Sequence, residues 1–501
     1  MVAGVSTPPT NPAARPGASR RALALVLAAS AALSLYLACT VPLVDPDEGR
    51  NAEIAREMSV SGDLVIPHLA GMPYLDKPPA LFWAAAAAIR VAGPTRWAPR
   101  LPAVLASLLT LLALASLARR IGGDDLAWRA AALLAAAPLF AAISAYVIFD
   151  LPLALCVTLV WTLLARELAE GPSTSRRDLM FAAVTLGVLL KGPVMLIWAL
   201  GGSGATALVM RRRSPLAWLA WVPGWVIVFG FAGGWFALAT HRHPEYPRYA
   251  FLEESVERLT TRNFQRDQPW WFAFAALVGG ALPWSLATPW RRTGRSLHVA
   301  DSLARPAAST ALGFLLFALV FFSLSHSKLV TYVVPALPPL ALLAALAWST
   351  VHGRARIVFA VVVLAVPIAL VALIPGQLRR IEALSGEPLA AAIRAAGSPG
   401  HAPAVRYERC YSPGTDFLLG TRGILVSPNA DQTTSVYQAR YRESLRQRGW
   451  WTILANADSA PPAGVIVRPR RDDWPPPPGW VSFFTDARFT AYRPDAGPAA
   501  R

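Results

Sequence analysis

Asp45-Pro46-Asp47-Glu48-Gly49-Arg50-Asn51 places three carboxylates and a guanidinium directly after an apolar run at 22–41. A membrane helix needs about 20 mostly apolar residues, so this run reads as a span and the acidic stretch as the point where the chain leaves hydrocarbon. Reading outward, similar runs occur near 98–118, 127–146, 150–168, 179–195, 194–210, 217–239, 270–290, 308–325, 331–350 and 357–375. With the first run they give about eleven expected spans. Arg20 and Arg21 before the first run resemble the start of a signal peptide, but the chain beyond is polytopic, so 22–41 is read as a span.

Composition agrees. Of the 501 residues 54% are hydrophobic and 15% charged. Soluble domains carry about 25% charged residues, and disordered chains are poor in apolar ones; both classes are excluded. The net charge of +17 does not indicate nucleic-acid binding, because the charge sits in short clusters between apolar runs rather than on a soluble basic module. Cys39, Cys156 and Cys410 have no metal or disulfide spacing.

Segments 1–21, 119–126, 166–178, 211–216, 291–305 and 352–356 hold 17 arginines and six acids, whereas the alternating segments are balanced. The positive-inside rule then places the N-terminus in the cytoplasm. An odd span count puts everything after about 376 outside. The expected organisation is a cytoplasmic tail at 1–21, a membrane domain at 22–375 with a long outer loop at 42–97, and an outer α/β domain at 376–501. In that domain Leu389–Ala396 reads as a helix. Gly423–Ser427, Trp450–Ala455, Gly464–Val467 and Trp480–Phe484 read as strands, and Pro475–Pro478 as a rigid connector.

The loop at 42–97 is long enough to be functional. Asp45 suits an N-cap, Pro46 the first helical position and Glu48 a capping-box partner, for a helix to about Ser59. Ala52, Ile54, Ala55 and Met58 give it an apolar side; Arg50, Glu53, Arg56 and Glu57 give a polar one. Such a helix suits the membrane interface. Capping explains Asp45, Pro46 and Glu48 but leaves Asp47 unexplained.

Lysine carries the sharpest signal. Only Lys77, Lys191 and Lys328 break a run of 44 arginines, and all three fall near outer ends of expected spans. A lysine is a compact point charge suited to phosphate, so the three are expected to line one anionic site. Asp76 adjoins Lys77. Asp150 stands in an outer turn where a carboxylate is costly unless it is wet or paired. Glu254 and Arg258 have helical i,i+4 spacing, and Lys328 shares a helix face with Tyr332.

Taken together, Asp45-Pro46-Asp47-Glu48-Gly49-Arg50, Ala52 to Met58, Ser61-Gly62-Asp63, Pro67-His68-Leu69 and Tyr74-Leu75-Asp76-Lys77-Pro78-Pro79 resemble the first periplasmic loop of bacterial lipid A aminoarabinose transferases. They also resemble the wider polyprenyl-phosphate-sugar glycosyltransferases, protein O-mannosyltransferases included. Lys191-Gly192-Pro193, Ser327 to Tyr332 and Pro335-Ala336-Leu337-Pro338 match too.

The resemblance implies a GT-C fold in the inner membrane, with interfacial helices in the first loop and a periplasmic active site. It implies a sugar donor on a polyprenyl monophosphate, a lipid or glycan acceptor, membrane lipids as surroundings, and no nucleic acid. Asp47 would serve as base or orienter of the acceptor hydroxyl, with Asp150 as a second catalytic acid. Lys77 would hold the lipid phosphate. Arg50, Tyr74, Lys191, Arg258, Lys328 and Tyr332 fall at substrate-site positions, and Asp76 with Glu254 at a position for a divalent metal. Asn51 stands where those transferases usually have Tyr, Ser255 where they have His after Glu, and Asp76 where they have Glu. A different sugar or acceptor is therefore expected. A protein O-mannosyltransferase is the alternative within this chemistry. A lipid-linked sugar transporter or a non-catalytic envelope scaffold is the alternative outside it.

Overall fold

The computed structural model describes residues 16–257, 267–293, 303–349, 351, 355–397, 403–427, 431–455, 457, 463–470, 476 and 478–495. Among these, seven helices are long and apolar enough to cross a membrane: Gly17–Thr40, Ala98–Ala135, Asp150–Glu170, Val222–Arg242, Ala304–Leu324, Val330–Ser349 and Ile357–Glu382.

The other expected runs take shorter forms. The run 179–195 lies mostly in Thr174–Lys191, and 194–210 is the 17-residue helix Val194–Met210. The run 270–290 breaks into Phe272–Gly280 and Trp284–Ala287 at Pro283, whose ring cannot continue a helical ladder. The runs 98–118 and 127–146 share one rod to Ala135, kinked where Gly122 and Gly123 leave helical geometry. Gly123 has φ +66°, which glycine adopts without the Cβ penalty.

Three of the arginine clusters gather at one end of the bundle. Arg20 and Arg119 pair with Asp124, and Arg120, Arg166 and Arg176 with Glu170. The first loop and the C-terminal unit meet at the other end, where Val44 forms a β-bridge with Ser385.

The loop folds into helix α2 (Asp47–Ser61), a two-stranded hairpin of β1 (His68–Leu69) and β2 (Met72–Pro73), and helix α3 (Ala80–Ala92). Asp45 does not cap α2: no side chain caps that helix. Its carboxylate accepts from Ser412 Oγ at 2.8 Å and from the Gly414 amide at 3.1 Å, and burial pushes its pKa up. Distant donors have won over the local cap.

Glu48 does reach back to the Val44 amide, at 3.2 Å, but its main partner is Arg100. Both side chains are buried, at 0% and 1% exposure, and Arg100 also donates to the carbonyls of Ala38 and Pro42 at the end of the first span. Removing one member of such a pair leaves an uncompensated buried charge, which typically costs about 3–5 kcal/mol.

The polar side of α2 does not face water or lipid headgroups either. Arg56 donates to both oxygens of Glu53, at 2.7 and 2.6 Å, under the short helix Pro413–Leu419. The two backbones approach so closely that a Cβ on Gly49 would lie 2.7 Å from the Gly414 nitrogen.

The C-terminal unit is a five-stranded mixed sheet. Its strands are β3 (Val405–Glu408), β4 (Ile424–Val426), β5 (Val465–Pro469), β6 (Trp480–Thr485) and β7 (Phe489–Pro494), in the order β4-β3-β5-β7-β6. β3 runs parallel to β4 and β5; β7 is antiparallel to β5 and β6. The expected helix appears as Glu387–Ala396, with Leu389 and Ile393 in the core. Trp450–Ala455 is not a ladder strand: only Leu454 bridges, to Val426, and Thr452 Oγ1 turns to the Ala70 carbonyl at 2.7 Å. β3 and β7 had no expectation. Pro475 and Pro477 lie outside the described residues.

Asp416, inside this unit, is fully buried. Its oxygens accept from Tyr407 OH at 2.9 Å and the Gly423 amide at 2.8 Å. Burial nevertheless pushes its pKa up to about 7. The native state therefore holds a proton that the unfolded chain has released, and stability falls as pH rises from about 4 to 7. Glu53 and Glu57, which face it beside Arg56, are shifted up by burial in the same sense. Asp416→Asn should flatten, but not abolish, this slope in thermal-unfolding scans of the detergent-solubilised protein. An unchanged slope would remove Asp416 as its source.

Candidate active site

A cavity of about 970 Å³ opens where the first loop, the spans and the C-terminal unit meet. One part is charged, lined by Asp47, Arg50, Asp76, Lys77, Asp150, Lys191 and Glu254. The other is apolar, lined by Leu153, Ile197, Trp198, Phe321 and Phe322.

Asp47 is the first residue of α2, where the helix dipole favours a carboxylate. Its side chain is 55% exposed and accepts from Arg50 Nη2 at 2.8 Å. Arg50 also donates from Nη1 to Thr434 Oγ1 at 2.7 Å and lies 6.0 Å from the centre of the Tyr74 ring. Burial first, with Asp76 and Glu254 adding to it, raises the Tyr74 phenol well above its ordinary range, so the phenol stays protonated.

Asp150 and Lys191 occupy opposite helix ends, Asp150 at the start of Asp150–Glu170 and Lys191 at the end of Thr174–Lys191. Each charge suits its helix end, and the two meet at 2.6 Å. Lys191 Nζ also sits 4.6 Å from the centre of the Tyr332 ring, a cation–π contact. Lys77 pairs with Glu254 and donates to the Asp76 carbonyl at 2.7 Å.

Two of the three lysines thus share the main cavity. Lys328 does not: its ammonium donates to the Gln268 carbonyl at 2.7 Å and lines a neighbouring cavity of about 450 Å³ with Asp267 and His326. Tyr332, four residues on, does reach the main cavity. Arg258 lies outside the described residues, as does its expected pairing with Glu254. The segment before it, Arg248–Glu257, is a π-helix.

The expected metal pair does not hold together. Asp76 Oδ1 accepts from Tyr249 OH at 2.6 Å and the Tyr437 amide at 2.8 Å, and Oδ2 from the Val436 amide at 3.1 Å. Glu254 is committed to Lys77. Among the described residues no group of three or more His, Cys, Asp and Glu side chains converges. The carboxylates present do not fit a divalent cation without giving up these partners.

Sequence reading missed Tyr249, Thr434 and Val436. Thr434 is 384 positions from the arginine it touches, and no local pattern signals such a contact.

Residues 76–235 match the family model for dolichyl-phosphate-mannose-protein mannosyltransferase. An undecaprenyl phosphate-alpha-4-amino-4-deoxy-L-arabinose arabinosyl transferase of Pseudomonas fluorescens is 34% identical over 333 residues, covering 65% of this chain and 55% of that protein. The enzyme so named in Pseudomonas paraeruginosa is 35% identical over 305 residues, covering 60% and 54%. The chain spans about half the length of the curated relatives it matches. The crystal structure of ArnT from Cupriavidus metallidurans bound to undecaprenyl phosphate superimposes with a TM-score of 0.76 at 22% identity, covering 96% of this chain and 98% of that one. The fold is therefore shared over nearly the whole chain, C-terminal unit included. With this fold and its apolar spans, the chain is an integral membrane protein that shares the fold of ArnT and is similar in sequence to undecaprenyl phosphate-aminoarabinose arabinosyl transferases.

Proposed function

We propose that the chain transfers a sugar from a polyprenyl monophosphate to lipid A or another envelope glycan at the periplasmic face of the inner membrane. The observation that carries this reading is the cavity itself, which joins an apolar part to a charged part holding two lysines and an open carboxylate. A polyprenyl chain suits the first, and its phosphate and sugar suit the second. The three arginine clusters that pair at the opposite end support a cytoplasmic N-terminus.

In the proposed reaction Asp47 accepts the proton of the acceptor hydroxyl. The hydroxyl oxygen bonds to the anomeric carbon, and the bond from that carbon to the phosphate oxygen breaks. Its electron pair leaves with the phosphate. Lys77 and Lys191 stabilise this growing negative charge from fixed positions. Attack opposite the phosphate inverts the anomeric centre. No step uses a metal, so turnover should stay within about twofold in EDTA.

The mannosyltransferase family match keeps a second reading open, with a protein hydroxyl as acceptor. A transporter reading fits less well, because the charged groups line a cavity at one end of the bundle rather than a path through it. The test is a panel in liposomes: undecaprenyl phosphate carrying aminoarabinose, mannose or galactose, against lipid A or a Ser/Thr-rich peptide, read by mass spectrometry. Product on lipid A supports the first reading, and product on peptide the second. No product from any pair would sink the transferase reading.

A further inference from the structure

The C-terminal unit contributes a short segment to the cavity wall, and its geometry is unusual. Thr434 has φ +56°, in the left-handed region that β-branched residues rarely occupy. Such strain persists only where the surroundings impose it. It is followed by Ser435, whose side chain caps the helix Val436–Arg440 by accepting from the Gln438 amide.

This turn sends three kinds of donor and acceptor to the first loop. Thr434 Oγ1 accepts from Arg50 Nη1 at 2.7 Å. The consecutive amides of Val436 and Tyr437 donate to Asp76. Gln438 Nε2 lies 3.2–3.3 Å from the carbonyls of Leu69, Met72 and Pro73, on the hairpin that leads to Tyr74 and Lys77. One segment thus grips both ends of the proposed chemistry: the Asp47/Arg50 end of α2, and the Asp76-Lys77 turn. Gln438 and the two amides are buried or half-buried. Thr434 is exposed and, with Val436, lines the cavity.

The guanidinium is a rigid planar fork. With Nη1 on Thr434 and Nη2 on Asp47, its orientation is fixed from both sides. Without the Thr434 hydroxyl, the fork can turn about its own side-chain bonds, and Asp47 loses its fixed neighbour. We propose that Thr434 is a positioning residue for sugar transfer, through which the C-terminal unit sets the Arg50–Asp47 pair. The inference rests on the transferase reading. It assigns to the C-terminal unit a part in the reaction beyond covering the membrane domain.

Three substitutions test it, using the full-length protein in liposomes with whichever donor and acceptor of the panel the wild type turns over fastest. Thr434→Val keeps the shape and removes the hydroxyl. It should lower kcat about tenfold, with KM for the donor and the Tm nearly unchanged. Thr434→Gly removes the hydroxyl and also relieves the left-handed strain, so it should lower kcat similarly even if Tm holds or rises. Thr434→Ser keeps the hydroxyl and should restore kcat to within about twofold of wild type. Wild-type kcat in both the Val and Gly proteins would overturn the inference and leave the transferase reading standing. So would a Ser protein as slow as the Val one, since the hydroxyl would then not be the operative group. A wild-type protein that transfers nothing overturns both.

Discussion

Replacing Lys77 by glutamine is expected to lower sugar transfer about a hundred- to a thousandfold, the usual consequence of losing a fixed group aimed at developing charge. Lys77 lies in the bend after the hairpin with its ammonium on the Asp76 carbonyl and on Glu254, and it lines the cavity. Pro78 follows, and α3 starts at Ala80, so the lysine backbone has little room to shift. The loss should fall mainly on kcat, because charge on the phosphate grows as the bond to the sugar breaks.

Glu254 complicates a single substitution. Its side chain is only 13% exposed, and losing Lys77 takes a close cation away from that carboxylate. The double substitution Lys77→Gln/Glu254→Gln removes both charges and separates chemistry from stability. If it restores the Tm but not the transfer rate, the ammonium acts on the reaction. Restored transfer would mean that Lys77 serves only to neutralise Glu254.

The second large effect is expected at Asp47. Asp47→Asn keeps the size of the side chain and its position at the start of α2, and removes its ability to take a proton. A positioned general base typically contributes about a hundred- to ten-thousandfold, so transfer should fall within that range. The Asp47 side chain is more than half exposed to the cavity, so neither stability nor binding of undecaprenyl phosphate should move much. The decisive comparison is mass-spectrometric turnover beside undecaprenyl phosphate binding on the same preparation. Retained transfer would exclude the proton-accepting role, and a collapse of binding together with transfer would point to a role in holding the donor.

Much of this was legible from local pattern. The apolar runs mark the spans, and the motif from Asp45 to Pro79 marks the first loop. The scarcity of lysine singles out Lys77 and Lys191, which the cavity brings together. What was not legible is what local chemistry cannot encode. Asp45 has the form of an N-cap, yet it binds Ser412 and Gly414 because folding offers better donors. Glu53 and Arg56 look like a polar face, yet they lie buried under a helix more than 350 residues away in sequence. Lys328 shares the rarity of the other two lysines, but its ammonium turns into the adjacent cavity.

The close approach of Gly49 to Gly414 bears on how this architecture can be re-engineered. Exchanging the outer unit for that of a relative would keep the membrane body only if the incoming unit brings a glycine at the position of Gly414 and a hydroxyl at that of Ser412. A Cβ at Gly414 would lie 2.7 Å from Asp45 Oδ1 and displace the carboxylate that the Ser412 hydroxyl and the Gly414 amide hold just ahead of α2. For a chimera designer the exchangeable block is therefore not the outer unit alone, but that unit together with the first turns of α2.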